Sequence, residues 1–568
     1  MEQINSLEKL SLNKKRWHLL HQKNETDTVF DILLGNRRID DRDAFLRPNF
    51  DTDLHDPFLL PDMECVVDRL QKAQQEQQRV MIIGDYDADG ITGTAMLYET
   101  FRKIGMRQVI CRLPHRIHDG YGFQPHFVQE AARDKVDLIV TVDNGVSSLD
   151  AIRCARDAGI DVIVCDHHTI PGALPPANAI LHPRWPDGAY PFPDLTGVGV
   201  AFKLAQALCS RLLSAQEAEK FLKWSLDLVA IGTVADCATV TGENRVFIKY
   251  GLIVIEKTRR PGLRNVLNLC MGKNPVYDAT LIGFRIAPRI NAAGRISHPD
   301  ASLKLLLTDN ILEANVLAKE LQELNAKRQE QTMQAVNQAK EQLWQDIANE
   351  KILIARNKEW HPGIVGLIAG RLTEEFHRPS VIFHEREDGV LVASARSIEP
   401  FNIIEAITRQ KDLLVRFGGH AQAAGCSLEQ GNYAAFRDNM KTLANAGIAD
   451  EQLYETLNID CELDPAQMTL DLKRQLDALE PCGIGNERPL FLLRGLPIQR
   501  IAAVGNGGAH LQVWLDAPGK TLKGIAFQQG HLSKKLASGD VVNVACHLQE
   551  NAWNGETSLE IEVVDIQR

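Results

Sequence analysis

Val80–Gly90 reads VMIIGDYDADG, a short run of apolar residues that ends in three acids, Asp85, Asp87 and Asp89. A run this short, bounded at once by polar residues, suits a buried strand better than a helix. The ITGTAMLYETF that follows has helical character, so the acids stand at a strand-to-helix turn. Two later runs repeat the arrangement. Val136–Val142 (VDLIVTV) stops at Asp143-Asn144-Gly145, and Ile160–Cys165 (IDVIVC) stops at Asp166-His167-His168. Amphipathic segments alternate with these runs from about residue 80 to 240, the mark of βαβ units and a parallel sheet. Open parallel sheets collect their functional groups in the crevice beyond the carboxyl ends of the strands. Three strand ends are therefore expected to deliver acids and imidazoles to one place.

Taken singly, each acid equally suits a turn or a helix N-cap. Taken together they call for a cation, because carboxylates buried side by side repel one another unless something neutralises them. Oxygen ligands with one or two imidazoles fit Mn²⁺ or Mg²⁺ better than a closed structural zinc site. Two such ions about 4 Å apart activate a water and stabilise both the attacking and the leaving oxygen of a phosphodiester. The adjacent histidines point in different directions and so take different jobs.

Working outward, residues 310–345 contain no Gly or Pro and consist mostly of strong helix formers, which predicts one long bridging helix. Strand-like patterning resumes at Ile352–Ala355, Ser380–Phe383 and Gly389–Ala395 around a helix near Gly363–Leu372, a second α/β unit. The last hundred residues change again. HLQVWL, LKGIAF, VVNVACHLQ and SLEIEVVDIQ alternate and are separated by Gly-containing turns, which predicts a small β-barrel. The expected organisation is an arm over 1–44, a catalytic α/β domain over 45–309, the bridging helix over 310–350, a second α/β domain over 351–465 and the barrel over 466–568. The 568 residues exceed what one core usually supports, in keeping with several domains. A composition 44% hydrophobic and 24% charged is that of a globular protein. The net charge of −11 does not advertise a nucleic-acid binder, so any such site must be local. The eleven cysteines form no C-x-x-C pair and read as reduced thiols. MEQINSLEKLSLNKKRW has no apolar leader core and no later window offers a membrane span, so a cytoplasmic protein without membrane contact is expected.

DYDADG, the VDNG turn and CDHH match the first three motifs of the DHH phosphoesterase superfamily, and IGTVADC (Ile231–Cys237) matches the fourth. The resemblance runs from about residue 45 to 568 and is greatest to the superfamily's bacterial single-strand-specific 5′-to-3′ exonucleases. It implies a DHH-type parallel-sheet domain, a DHH-associated α/β domain and a C-terminal OB-fold. It implies further that Asp87, Asp89, Asp143, His167 and Asp236 hold two Mn²⁺ or Mg²⁺ ions, with Asp143 as the bridge. Asp85 and Asp166 match positions that ligate or support the ligands, and His168 is implied as a contact to the scissile phosphate.

Arg416–Gly425 (RFGGHAQAAG) carries paired glycines that expose backbone N–H groups to an anion, with a helix expected after them; a tight turn explains the glycines as well. Its resemblance to the GGH motif of the DHH-associated domain makes His420 a phosphate neighbour. Three basic segments are candidates for a local positive patch: Arg112–Arg116, the stretch from Arg285 through Arg289 to Arg295, and Ala393–Ser397. Each alone reads more readily as an ordinary surface, where Arg is common. The resemblance implies that Arg116, Ser394 and Arg396 form a pocket for a 5′ phosphate. On the barrel, Trp514, Phe527 and Trp553 are candidates for stacking on bases or for core packing, and Glu480–Phe491 (EPCGIGNERPLF) reads as a domain junction. The implied activity is stepwise hydrolysis of single-stranded DNA to mononucleotides in recombination and repair, beside a single-strand-binding protein and a repair helicase. A small-molecule phosphoesterase, which has little use for a terminal barrel, and a non-catalytic DNA-binding scaffold, which would not keep all the acids, are the alternatives.

Overall fold

The computed structural model describes every residue except 1–8, 22–27, 121, 171, 186–187, 189, 273–274 and 554–555. The first strand, β1 (Arg16–His21), pairs with none of the ten strands that follow it. The next five are β2 (Val80–Ile83), β3 (Val109–Arg112), β4 (Leu138–Val142), β5 (Asp161–Cys165) and β6 (Ala179–Leu181). They form an all-parallel sheet in the order β3-β2-β4-β5-β6. Every residue of β2 and β4 is buried, as a parallel sheet with helices on both faces requires. Helices Ala88–Lys103, Gly197–Leu212 and Leu226–Ala235 pack together in the main core, and the sheet's other face meets Phe123, Phe127 and Ile152. All three strand runs read from the sequence are present, and β2, β4 and β5 end where the acids begin.

Ile311–Gln342 is a single helix of 32 residues capped by the Asn310 side chain. Beyond it lie β7 (Leu353–Asn357), β8 (Ser380–Glu385), β9 (Val390–Arg396), β10 (Leu414–Gly419) and β11 (Ala423–Glu429), in the order β10-β11-β9-β8-β7. The helix expected after the paired glycines is absent. RFGGHAQAAG instead turns back as an antiparallel hairpin of β10 and β11, because the alternating pattern of Ala423–Glu429 seats it against β9.

The last sheet contains β12 (Thr456–Glu462), β13 (Phe491–Val504), β14 (His510–Ala517), β15 (Lys520–Ala526), β16 (Val541–Trp553) and β17 (Glu556–Gln567). Pairing of β13 with β16 closes the last five of these into a barrel. β12, inside the range assigned above to the second α/β domain, runs parallel to both β13 and β1. Residues from the N-terminal arm thus join this unit. Val29, Ile32, Leu33 and Leu34 of the Val29–Asn36 helix are buried in the same core as Phe491, Leu511 and Val563.

The 480–491 segment is a junction, as the sequence suggested. Arg245, 1% exposed, donates to the backbone oxygens of Phe45, Leu479, Glu480 and Pro481, and Val240 N–H donates to Ile484 O at 2.7 Å. One guanidinium so ties the parallel-sheet domain to the segment entering the barrel. A second buried charge lies nearby: Lys203 pairs with Glu243 at 2.9 Å with neither side chain exposed, and Glu243 also accepts from Tyr190 OH and from His55 N–H.

Candidate metal centre and the arginine groove beside it

Asp87 caps the Ala88–Lys103 helix, accepting from Asp89 N–H at 3.1 Å and Gly90 N–H at 3.2 Å. The cap and the acidic cluster are therefore the same residue. Asp89 points the other way and accepts from Gly197 N–H at 2.7 Å and Val198 N–H at 2.9 Å. These two amides belong to LTGVGVAF, a glycine-rich helix start that the sequence reading passed over. Gly197 has to be glycine, since a Cβ there would lie 2.4 Å from the Cβ of Asp143. Asp143, at φ 62°, sits at the end of β4 with its Oδ1 3.1 Å from His167 Nε2. His167 Nε2 is also 3.8 Å from both Asp89 and Asp236. Asp236 ends the Leu226–Ala235 helix and meets the cluster from a fourth element.

Asp166 organises the histidines. It accepts from the backbone N–H groups of Val146, His167 and His168, and from His168 Nδ1 at 2.8 Å. His182 Nε2 lies 2.8 Å from His168 O. Neither His182 nor the Gly197–Val198 amides announced themselves in sequence; the only signal was glycine density.

Three groups of ligand atoms come within reach of a common ion: Asp85, Asp87 and Asp143; Asp89, His167 and Asp236; and Asp143, His167 and His168. The electrostatics match that geometry. Burial, reinforced by Asp87, raises the carboxyl of Asp85 well above its usual range, and burial with Asp89 does the same to Asp143. Burial with Asp87 lifts Asp89 to about 7, and burial with Asp89 lifts Asp236 to about 8. Asp85 Oδ1 is buried without a partner. A set of carboxylates that resist ionisation, one with an orphan oxygen, fits a pair of hard divalent cations. Burial lowers His167 to about 3, leaving it a neutral nitrogen donor. Burial opposes the charge on His168, yet the hydrogen bond and charge of Asp166 raise it to about 9. Asp166, despite its own burial, is held at about 2 by the same bond. Burial and Asp166 thus push the two imidazoles in opposite directions.

The metal-free protein is expected to lose stability as pH rises. Asp89 and Asp236 hold their protons to about 7 and 8 when folded but only to about 3.8 when unfolded. The folded state binds more protons between those values, so its advantage declines across that window and is gone above it. His168 acts in the same sense, its contribution fading through about 9, while His167, held down to about 3, opposes them up to its usual 6.5. Melts in chelator from about pH 5 to about pH 9 check this, and saturating Mn²⁺ should flatten the profile. A metal-free protein that grew more stable over that range would contradict it.

Beside the acids lies a cluster of arginines. The Arg116 guanidinium stacks 4.2 Å above the ring of Tyr86, and its Nε is buried without a partner. Arg396 on β9 donates to Ser394 Oγ at 3.3 Å and is held below its usual value by burial and by Arg116. Arg295 reaches Gly363 O of the second domain at 3.4 Å, and burial, Arg116 and Arg328 lower it to about 9. The fold therefore joins Arg116, Arg295, Ser394 and Arg396 from both α/β domains. Arg289 stands apart, with its Nε on Gln322 Oε1 at 2.8 Å. His420 is exposed in the β10–β11 turn, its backbone N–H donating to Ala423 O. On the barrel, β13, β14 and β15 align Arg500, Trp514 and Lys523 in one cross-strand row, the Arg500 guanidinium 4.7 Å from the Trp514 ring. Phe527, 52% exposed, meets His510 edge to face at 5.4 Å. The side chain of Trp553 lies outside the described residues.

Comparison with known proteins agrees domain by domain. The family model for the DHH family N-terminal domain matches residues 79–233, that for the DHHA1 domain 349–446, and that for the RecJ OB domain 459–565. The single-stranded-DNA-specific exonuclease RecJ of Dickeya dadantii is 36% identical over 521 residues, covering 89% of this chain and 90% of that protein. The chain belongs to the RecJ family. The RecJ of Bacillus subtilis is 32% identical, and there the match covers 91% of this chain but 64% of the longer relative. Among solved structures, RecJ of Thermus thermophilus in complex with Mn²⁺ superposes with a TM-score of 0.84 at 32% identity, covering 97% of this chain and 79% of that one. RecJ membership bears out the α/β-plus-barrel fold and the divalent-metal chemistry read from the strand ends. Among the described residues, no helix is long and apolar enough to cross a membrane.

Proposed function

We propose that this RecJ-family chain is a cytoplasmic exonuclease that degrades single-stranded DNA from its 5′ end to mononucleotides, with two Mn²⁺ or Mg²⁺ ions. The observation that carries the reading is the nearness of two oppositely charged sets: acids that need cations, and beside them arginines that form no ion pair among the described residues. Coulombic coupling links Arg116 to Asp85 and Arg295 to Asp87, so the two sets are neighbours. A terminal phosphate held by Arg116, Ser394 and Arg396, with Arg295 beside it, sets the first internucleotide bond over the acids.

Asp87, Asp89, Asp143, His167 and Asp236 are the residues that would hold the ions, with Asp143 shared between them. When bound, such ions supply an activated water and stabilise charge on the attacking and leaving oxygens. Asp85 neutralises and orients at the edge of the cluster. Asp166 keeps His168 cationic, and His168 donates to a non-bridging oxygen of the scissile phosphate. Arg289 and His420 contact the strand on either side. The likeness of the chain to RecJ supports a place in recombination and repair, with a single-strand-binding protein and a repair helicase as partners.

The deciding assay compares 5′-phosphorylated single strands, strands blocked at the 5′ end and blunt duplexes, with Mn²⁺. The reading requires a strong preference for the first. Equal degradation of all three would reject it.

The barrel face gives a separate expectation. Substituting Trp514 and Phe527 by Ala should raise KM on long strands, each lost stack being worth about 1–3 kcal/mol, while cleavage of a dinucleotide stays unchanged. Equal loss on both substrates would assign these aromatics to the fold instead.

A further inference from the structure

Arg328 belongs to no site described so far. It lies on the Ile311–Gln342 helix one turn beyond Asn325, on the stripe that carries buried Leu321. That stripe packs against the Ala287–Ile296 helix through Leu321, Ala318 and Ala293, which directs Arg328 toward Arg295. Its Nη2 donates to Asn325 Oδ1 at 2.9 Å, but its Nε is buried with no acceptor. Its charged neighbours are cations. Burial, then Arg371 and Arg289, hold its guanidinium below the usual value, and Arg328 in turn depresses Arg295. Among the described residues none of Arg116, Arg289, Arg295, Arg328 or Arg396 forms an ion pair with a carboxylate; Asp85 acts on Arg116 and Asp87 on Arg295 from a longer distance, and no carboxylate acts on Arg328.

A lane of arginines therefore runs from β9 through Arg116 and Arg295 to the bridging helix, with buried unpartnered Nε atoms at Arg116 and at Arg328. Burying like charges without partners is unfavourable in the free protein. It is relieved by an anion, and two separate orphan donors call for two anionic groups. A strand of DNA carries such groups at regular spacing.

We propose that Arg328 binds an internucleotide phosphate of the strand whose 5′ phosphate sits on Arg116, Ser394 and Arg396, so that the bridging helix is part of the substrate track. This rests on the exonuclease reading above. It also makes the helix a gauge of strand position, since it contacts both α/β domains.

The test uses full-length Arg328→Gln with Mn²⁺ on 5′-phosphorylated oligonucleotides in which single backbone phosphates are replaced by neutral methylphosphonates. KM should rise about ten- to a hundredfold with kcat little changed, the range for a lost charge-assisted hydrogen bond. One methylphosphonate position should impose that penalty on the wild type and none on the variant. Without DNA, the variant should melt no lower than the wild type, because a half-buried cation crowded by Arg289 and Arg371 has gone. Equal sensitivity of both proteins at every position would overturn the proposal. So would coupling to the 5′-terminal phosphate alone, or a lower melting temperature with losses independent of position. A wild type inactive on all these strands would reject the exonuclease reading itself, a different result from a wild type that is active and uncoupled to Arg328.

Discussion

Asp143→Asn should abolish strand degradation, by at least about a thousandfold, and at the same time raise the melting temperature of the metal-free protein. The loss follows from removing the central charge of the cluster, where bound cations contribute several kcal/mol of transition-state stabilisation. The gain follows from the same position. Asp143 is 2% exposed, and burial with Asp89, Asp87, Asp85 and Asp236 around it disfavours its charged form. Asparagine keeps the shape, tolerates the left-handed backbone at φ 62° and carries no charge. Nuclease rates and melts in chelator check both halves, and Mn²⁺ should stabilise the wild type but not the variant. A variant that melts lower than wild type without metal would show that the cluster is not electrostatically strained.

The largest expected effect on stability lies away from the chemistry, at Glu243→Ala. This change leaves the Lys203 ammonium, with a fully buried side chain, hydrogen-bonded to the His55 carbonyl oxygen and with Asp56 as a more distant charge, and removes the acceptor of Tyr190 OH. Breaking one member of a buried pair costs about 3–5 kcal/mol, because the surviving charge cannot reach water. Calorimetry should show melting lowered by about 10 °C. Replacing both residues, Lys203→Met with Glu243→Leu, should recover much of the loss, since two apolar side chains of similar volume leave no orphan charge. If the double variant is as unstable as the single one, packing rather than charge dominates this site.

The parts of this molecule that were legible in sequence are those written in local pattern. Val80–Ile83, Leu138–Val142 and Asp161–Cys165 are short apolar runs with acids at their ends, and the period alone placed Asp85, Asp87, Asp89, Asp143, Asp166 and the two histidines together. The barrel was legible for the same reason. The illegible parts depend on partners far along the chain. β12 looks like any short strand, and nothing local says that it lies between β1 and β13. Gly197 and Val198 serve Asp89 through backbone N–H groups, which have no side-chain signature. Arg328 was hidden among the good helix formers of Ile311–Gln342, where an arginine is ordinary until burial marks it out. The paired glycines before His420 misled because the same residues serve a hairpin turn or a helix start, and pairing with β9 decided between them.

The pairing of β1 with β12 has a consequence for how the protein is made. Trp17 Nε1 donates to Asp565 Oδ2 at 2.8 Å across 548 positions of chain. Synthesis therefore delivers the last residue of the acidic cluster, Asp236, long before β1 meets the barrel. Domains fold in the order in which they emerge, so the acidic cluster can assemble while the barrel does not yet exist. Val29, Ile32, Leu33 and Leu34 meanwhile wait uncovered for the core they share with Phe491 and Val563. A nascent chain then completes its acidic cluster before its barrel, and the Val29–Leu34 segment, made before every acid of that cluster, is sheltered after them.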